Sequence, residues 1–82
     1  MSSTQEKVVS IIADQLGADA ENITMETDIA NDLGADSLDI AELMIAFEEE
    51  FNINIEESDA QNITTVGDVV KHIQAVAGEG NA

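Results

Sequence analysis

A single serine, Ser37, stands where the sequence predicts that a loop ends and an amphipathic helix begins. Residues 33–39 read Leu-Gly-Ala-Asp-Ser-Leu-Asp. The N–H groups of a first helical turn are unpaired, and the helix macrodipole favours an anion beside them. A hydroxyl at that position suits a serine that carries a phosphate ester. The alternative is that Asp36 or Ser37 is an ordinary helix N-cap, which contributes about 1 kcal/mol.

Ser37 has no predicted partner that would make it a catalytic nucleophile. Activation of a serine needs a general base that is itself held by an orienting group. His72 is the sole histidine, and its position beside Lys71 near the end of the last predicted helix favours a solvated side chain. We therefore expect a chain without catalysis of its own. Another protein must supply the base and the metal for any reaction at Ser37.

The charge of the chain restricts its partners. Eighteen carboxylates against two lysines, Lys7 and Lys71, give a formal charge of −16 over 82 residues. Nucleic acid and anionic membrane surfaces would repel such a protein, whereas proteins with Lys or Arg patches would attract it. The apolar share of 44% is sufficient for a hydrophobic core, so a wholly disordered acidic chain is not expected.

The acidic segments do not match a dedicated metal site. An EF-hand loop that began at Asp28 would have Ala30 and Leu33 where a ligand and a glycine are required. No cysteine is present for a thiolate site. No apolar run approaches the ~20 residues of a membrane span, and the first residues do not resemble a signal or transit peptide. We expect no metal site, no membrane span and a cytoplasmic location.

Apolar periodicity and capping residues predict an all-α chain of one domain. Helices are expected over residues 4–16, 37–51 and 57–62, and a last helix from a capping box of Thr65 and Asp68 to a stop at Gly78. The domain is expected to span residues 1–82, with an ordered core of about residues 4–77 and a frayed end from Glu79.

A loop of about twenty residues, 17–36, is expected between the first two helices because no single period holds there. Ile23, Ile29 and Leu33 are expected to attach this loop to the core, either as loop throughout or with a short helical turn. The segment 53–55 is expected to be extended. The last helix should bury one stripe of residues: Val66, Val69, Val70, Ile73 and Ala77.

The second predicted helix, residues 37–51, has two different apolar faces. At about 100° per residue, one arc collects a core face: Ile40, Leu43, Met44, Phe47 and Phe51. Leu38 and Ile45 fall on another side, among the acids Glu42, Glu48 and Glu49. A small apolar patch with a charged rim is the composition of a docking site for another protein.

Residues 32–39, which read Asp-Leu-Gly-Ala-Asp-Ser-Leu-Asp, closely resemble the prosthetic-group attachment motif of acyl carrier proteins. Residues 42–43 and 46–51 resemble the rest of that family's second helix, and residues 63–68 resemble the start of its last helix. The resemblance covers about residues 4–77. It implies a four-helix bundle with three longer helices, a short third helix and a long loop between helices one and two.

By this resemblance, a phosphopantetheinyl transferase attaches 4′-phosphopantetheine from coenzyme A to Ser37 in a magnesium-dependent reaction. The terminal thiol of that arm then carries acyl groups as thioesters between fatty acid synthesis enzymes. The resemblance also implies a partner-binding face that meets basic patches: Asp36, Leu38, Asp39, Glu42, Ile45, Glu48 and Glu49. The acyl chain can fold back between the helices, and its cavity is expected to be lined by Leu43, Met44, Phe47 and Ile63.

Two positions depart from the family pattern. The family commonly has a proline after the extended segment that ends at Ile55, whereas Glu56 follows here. Ile40 stands where related carriers often have a polar or smaller residue. These departures concern the start of the third helix and the chain-length preference, and they do not touch Ser37.

The leading hypothesis is a monomeric, non-catalytic carrier of growing fatty acyl chains in a pathway of discrete enzymes. A second hypothesis is a carrier for polyketide, lipid A or D-alanyl transfer. A third, from a different class, is an acidic adapter that binds basic proteins without a prosthetic group and has Ser37 as a bare cap. Intact-mass measurement after incubation with coenzyme A, magnesium and a transferase separates a carrier from an adapter.

Overall fold

A computed structural model of the chain describes residues 3–77, and these residues are mainly helical. The elements in order are α1 (Ser3–Leu16), a 3₁₀ turn (Ala20–Asn22), α2 (Ile29–Leu33), α3 (Ser37–Phe51), α4 (Glu57–Gln61) and α5 (Val66–Ala77). Within this described part there is no strand, and its one β-type pairing is an isolated antiparallel bridge between Asp28 and Thr65. The predicted all-α bundle, with three longer helices and a long first connection, is confirmed.

The core lies where α1 packs against both α3 and α5. The predicted periods place one apolar stripe of each long helix in this core. The largest fully buried side chains are Phe47, Ile12, Leu43, Ile73, Val8, Val66 and Val69. Ile40 and Phe51, predicted for the core face of α3, are half-buried and pack against its edge. The core is therefore made mainly of branched aliphatic residues around one central phenylalanine, with Met44 and Ala35 also buried.

The long connection, residues 17–36, is more ordered than a plain loop. It contains the 3₁₀ turn and α2, so the predicted alternative with a short helical turn is the correct one. Ile23 and Ile29 are buried and Leu33 is half-buried against the core, as predicted. Apolar anchors spaced along the connection thus hold it against the bundle.

Backbone hydrogen bonds join this connection to the start of α5. The Ile29 N–H donates to the Thr64 carbonyl at 3.0 Å, and the Gly67 N–H donates to the Met25 carbonyl at 2.8 Å. A Cβ on Gly67 would lie 3.0 Å from that same carbonyl oxygen. The close approach therefore favours glycine, and the two bonds fix the connection relative to α5.

The capping box predicted for the last helix is confirmed. The Asp68 N–H donates to Thr65 Oγ1 at 3.2 Å, and the Asp68 carboxylate accepts the N–H groups of Thr64 and Thr65 at 3.1 Å each. The buried stripe of α5 is confirmed for Val66, Val69, Val70 and Ile73. The predicted burial of the Ala77 side chain, the stop at Gly78 and the frayed end from Glu79 lie outside the described residues.

The short helix α4 ends one residue before its predicted end, because Asn62 acts as its C-cap. At the other end of α4, the N-cap residue Glu56 makes no side-chain hydrogen bond to the helix. The apolar residue before it, Ile55, is buried. At its start, packing rather than a side-chain cap must therefore hold this helix of five residues in place.

Candidate functional site

Ser37 is the first residue of α3, but Asp36 is the residue that caps the helix. The Asp36 carboxylate accepts the Asp39 N–H at 2.9 Å, and the Asp39 carboxylate accepts the Asp36 N–H at 3.2 Å. The Ser37 side chain is exposed, and its hydroxyl makes no hydrogen bond to any residue between 3 and 77. Of the two residues named as an ordinary cap, Asp36 has that role, and the Ser37 hydroxyl is free for other chemistry.

The turn before Ser37 presents it at the end of the long connection. Gly34 ends α2 with φ 71° and ψ 26°, in the left-handed region that favours glycine. A Cβ at Gly34 would meet nothing within 4 Å, so the backbone conformation rather than space selects glycine there. Ala35 is buried, and its N–H approaches the Ile29 carbonyl at 3.4 Å. Because Ala35 is buried and Asp36 caps the helix, the next residue, Ser37, is left exposed to solvent.

His72 does not serve Ser37 as a base. No hydrogen bond joins the two residues in the described part of the chain. The prediction that His72 is solvated is also wrong, because its side chain is half-buried and its Nε2 atom is buried with no hydrogen-bond partner among residues 3–77. Val69, three residues earlier on α5, is fully buried, so His72 lies beside the face of α5 that packs in the bundle. Helix position alone does not indicate this packing.

A groove of about 370 Å³ opens beside Ser37, between α3 and α4. Its walls are Ser37, Ile40, Ala41, Met44, Glu57, Ala60, Gln61 and Ile63. A second groove, of about 150 Å³, lies on the side of α2 and shares Ile40, Met44 and Ile63 with the first. Shared apolar side chains therefore separate the groove beside Ser37 from the groove on the side of α2.

The structure divides the predicted cavity-lining residues into two pairs. Met44 and Ile63 line both grooves. Leu43 and Phe47 are fully buried and line neither groove, because they occupy the centre of the core. Ala41 and Ala60 were missed as lining residues. The sequence signal that could have indicated them is a small residue on each of two neighbouring helices, because small side chains leave space between the helices.

The exposed face of α3 carries the predicted apolar pair. Leu38 is 66% exposed and Ile45 is 53% exposed, although both are large aliphatic residues. Glu42 and Glu49 beside them are exposed, and their side chains make no hydrogen bond or ion pair within residues 3–77. These four side chains do not hold the fold together and are available to another molecule.

The other three predicted partner residues have partners inside the chain. Asp36 and Asp39 bond each other's N–H groups at the start of α3. Glu48 is half-buried, and its Oε2 atom accepts the Ile55 N–H at 2.7 Å. Sequence periodicity places Glu48 near the acidic face but does not indicate this bond.

Two carboxylates in the elements around the site have lowered pKa values. Hydrogen bonds from the Asn31 backbone and side chain hold the pKa of Asp28 below its usual range, against a smaller desolvation effect. The N–H groups of Thr65 and Thr64 likewise lower the pKa of Asp68. Hydrogen bonds thus stabilise the anionic form of both aspartates. Asp28 lies at the start of α2 and Asp68 in the first turn of α5, where the connection before Ser37 is held.

Known proteins identify the family of this chain. The sequence matches the family described as phosphopantetheine attachment site over residues 6–73. It is 57% identical over 70 residues to an acyl carrier protein of Clostridium acetobutylicum, a match that covers 85% of this chain and 91% of that protein. This chain belongs to the acyl carrier protein family.

Solved structures of acyl carrier proteins have the same fold. A candidate acyl carrier protein from Mycobacterium tuberculosis superimposes with a TM-score of 0.84 at 38% identity, covering 89% of this chain and 97% of its own. The acyl carrier protein of Enterococcus faecalis gives a TM-score of 0.77 at 34% identity, with 89% and 92% covered. Like these relatives, the present acyl carrier protein has a helical fold.

Acyl carrier proteins are non-catalytic carriers, and the group that they bear is 4′-phosphopantetheine. When bound, this group supplies a terminal thiol that carries acyl groups as thioesters. The Ser37 hydroxyl fits its attachment because it is exposed and unbonded, and because helix geometry leaves the N–H groups of Ser37 and Leu38 for an anion. Among residues 3–77, no helix is long and apolar enough to cross a membrane.

Proposed function

We propose that this acyl carrier protein bears 4′-phosphopantetheine on Ser37 and shuttles growing fatty acyl chains between the discrete enzymes of fatty acid biosynthesis. The observation that carries the proposal is the division of roles at the start of α3, where Asp36 caps the helix and the Ser37 hydroxyl is free. The whole chain, residues 1–82, acts as one carrier domain. It works as a monomer in the cytoplasm.

The attachment step forms a phosphodiester at Ser37. The Ser37 oxygen bonds to the phosphorus next to the pantetheine part of coenzyme A, and the bond from that phosphorus to the remaining nucleotide breaks. The hydroxyl proton passes to a base on the transferase, since His72 is not in hydrogen-bond contact with Ser37. The new phosphate anion then lies at the N-terminus of α3, where the helix macrodipole stabilises it.

The exposed face of α3 is the docking surface for the transferase and for the fatty acid synthesis enzymes. Leu38 and Ile45 supply apolar contact, and Glu42 and Glu49 supply charge for basic patches. Long-range attraction by the charge of −16 accelerates encounter. A patch of this small size gives weak binding, which suits a carrier that must leave each enzyme quickly.

The groove beside Ser37 is the place to which the acyl chain returns. Its apolar walls include Met44 and Ile63, two of the residues predicted for the cavity. Met44 is unbranched and polarizable, so its side chain can change rotamer to admit an alkyl chain. Leu43 and Phe47 are reached only by an acyl chain that enters the core beyond the groove.

The proposal is tested by intact-mass measurement of the protein after incubation with coenzyme A, magnesium and a phosphopantetheinyl transferase. A mass gain of one phosphopantetheinyl group in the wild type, absent in Ser37→Ala, supports the carrier. An unchanged wild-type mass overturns it and favours the acidic adapter. A modified protein that accepts polyketide or D-alanyl groups, but is not elongated by fatty acid synthesis enzymes, supports the other type of carrier.

A further inference from the structure

We propose that Glu48 is a positioning residue inside the protein and not a member of the partner-binding face. Its carboxylate holds the segment after α3 and, through that segment, fixes α4 as one wall of the groove beside Ser37. The use of the groove for an acyl chain rests on the function proposed above. The hydrogen-bond role of Glu48 can be tested without it.

The carboxylate and the main-chain carbonyl of Glu48 both accept hydrogen bonds from the segment that follows α3. Its Oε2 atom accepts the Ile55 N–H at 2.7 Å in a partly buried position. Its main-chain carbonyl accepts the N–H groups of Asn52 and, at 3.1 Å, Ile53. Glu49, the next residue, is exposed, and its side chain makes no hydrogen bond or ion pair in the described part of the chain. Adjacent glutamates on α3 thus have different environments.

The segment after α3 needs this support because α4 is weakly stabilised by its own residues. A helix of five residues, Glu57–Gln61, is far shorter than an isolated helix needs for stability. Glu56 makes no side-chain cap bond, and no proline fixes the backbone there. The burial of Ile55 and the bond to its N–H are therefore the attachment at the start of α4.

Movement of α4 would change the groove directly. Glu57, Ala60 and Gln61 of α4 face Ser37, Ile40 and Met44 of α3 across it. Without the Glu48 carboxylate, the Ile55 N–H would be left without its acceptor in a partly buried place, a state that costs free energy and favours a displaced segment. The wall of the groove would then be mobile relative to α3.

The test separates the acceptor role of Glu48 from its charge. Glu48→Gln keeps an oxygen acceptor and removes the charge, Glu48→Ala removes both, and Glu49→Gln and Glu49→Ala are the matched controls. Amide hydrogen exchange is measured by NMR on the unmodified protein. We expect Glu48→Ala to accelerate exchange at the Ile55 and Ala60 amides by roughly tenfold or more. Glu48→Gln and both controls should remain within about twofold of the wild type.

The Met44 amide, in the middle of α3, is the reference for global effects. A local release accelerates Ile55 and Ala60 but leaves Met44 unchanged. Equal acceleration at all three amides would show a loss of overall stability and would overturn the positioning role. Unchanged exchange at Ile55 in Glu48→Ala would overturn it as well.

The KM and kcat of a phosphopantetheinyl transferase supply the second measurement. Glu49→Gln should raise the KM for the carrier about two- to fivefold with little change in kcat, the effect of one exposed charge pair. Glu48→Gln should leave both constants at their wild-type values. An equal rise in KM for the two Gln variants would show that Glu48 belongs to the partner-binding face and would overturn the proposal. If the wild type is not modified at all, the carrier function fails, while the exchange data still decide the role of Glu48.

Discussion

Replacement of Ser37 by alanine is expected to abolish attachment of the prosthetic group without destabilising the fold, whereas Asp36→Ala should destabilise it. The Asp36 carboxylate accepts the Asp39 N–H at 2.9 Å as the N-cap of α3. Loss of such a cap costs about 1 kcal/mol, which lowers the melting temperature of a domain of this size by about 4–8 °C. The Ser37 hydroxyl makes no hydrogen bond within residues 3–77. Alanine is a better helix former than serine, so Ser37→Ala should be neutral or stabilising by at most ~0.5 kcal/mol.

The assay combines urea and thermal unfolding, followed by circular dichroism, with intact-mass measurement after treatment with coenzyme A and a transferase. Asp36→Asn is the control, because asparagine caps a helix about as well as aspartate but carries no charge. The Asp36→Asn variant should keep most of the wild-type stability. It thereby separates the loss of the cap hydrogen bond from the relief of charge repulsion. The reasoning is wrong if Ser37→Ala loses as much stability as Asp36→Ala. It is also wrong if Asp36→Asn and Asp36→Ala are equally unstable.

Further predictions concern the docking face, the charge and a capping carboxylate. Glu42→Lys should reduce turnover by a partner enzyme ~tenfold because a lysine would then face a basic patch, and Ile45→Ala should reduce turnover less. Both variants should keep the wild-type circular dichroism. Normal acyl transfer by both variants would contradict the assignment of this side of α3 as the docking surface. Added salt should raise the melting temperature by screening the net charge of −16; a melting temperature that is flat across salt would contradict this. Because the folded state lowers the pKa of Asp68, its charged form adds stability above about pH 4, and this is lost as the pH falls through the lower folded pKa. The difference in melting temperature between wild type and Asp68→Asn, measured in high salt, should therefore be largest near neutral pH and vanish in strong acid. A difference that does not change with pH would refute this role of the Asp68 charge.

Local signals were sufficient to predict α3 and its two faces. Its observed bounds, Ser37–Phe51, are the predicted ones, because a capping aspartate and a helical period act within a few residues of each other. The exposure of Leu38 and Ile45 follows from the same period. The capping box at Thr65 and Asp68 was likewise predictable, since both partners lie within one turn.

Features that depend on contacts between distant segments were not predictable in this way. The period of α3 places Leu43, Met44 and Phe47 on one face, but only the position of α4 decides that Met44 borders the grooves and the other two do not. The bond from Glu48 to the Ile55 N–H depends on how the chain turns after α3. The burial of the His72 Nε2 atom depends on packing around α5 in the same way.

The two sides of α3 can vary in sequence nearly independently. Leu38 and Ile45 point outward while Leu43 and Phe47 fill the centre of the bundle, so a substitution on the outer side leaves the packing of the interior intact. Selection on enzyme compatibility and selection on foldability therefore act on separate positions of one helix. For the same reason, the outer residues could be transplanted to another bundle of this shape to redirect which enzymes it visits, at little thermodynamic penalty.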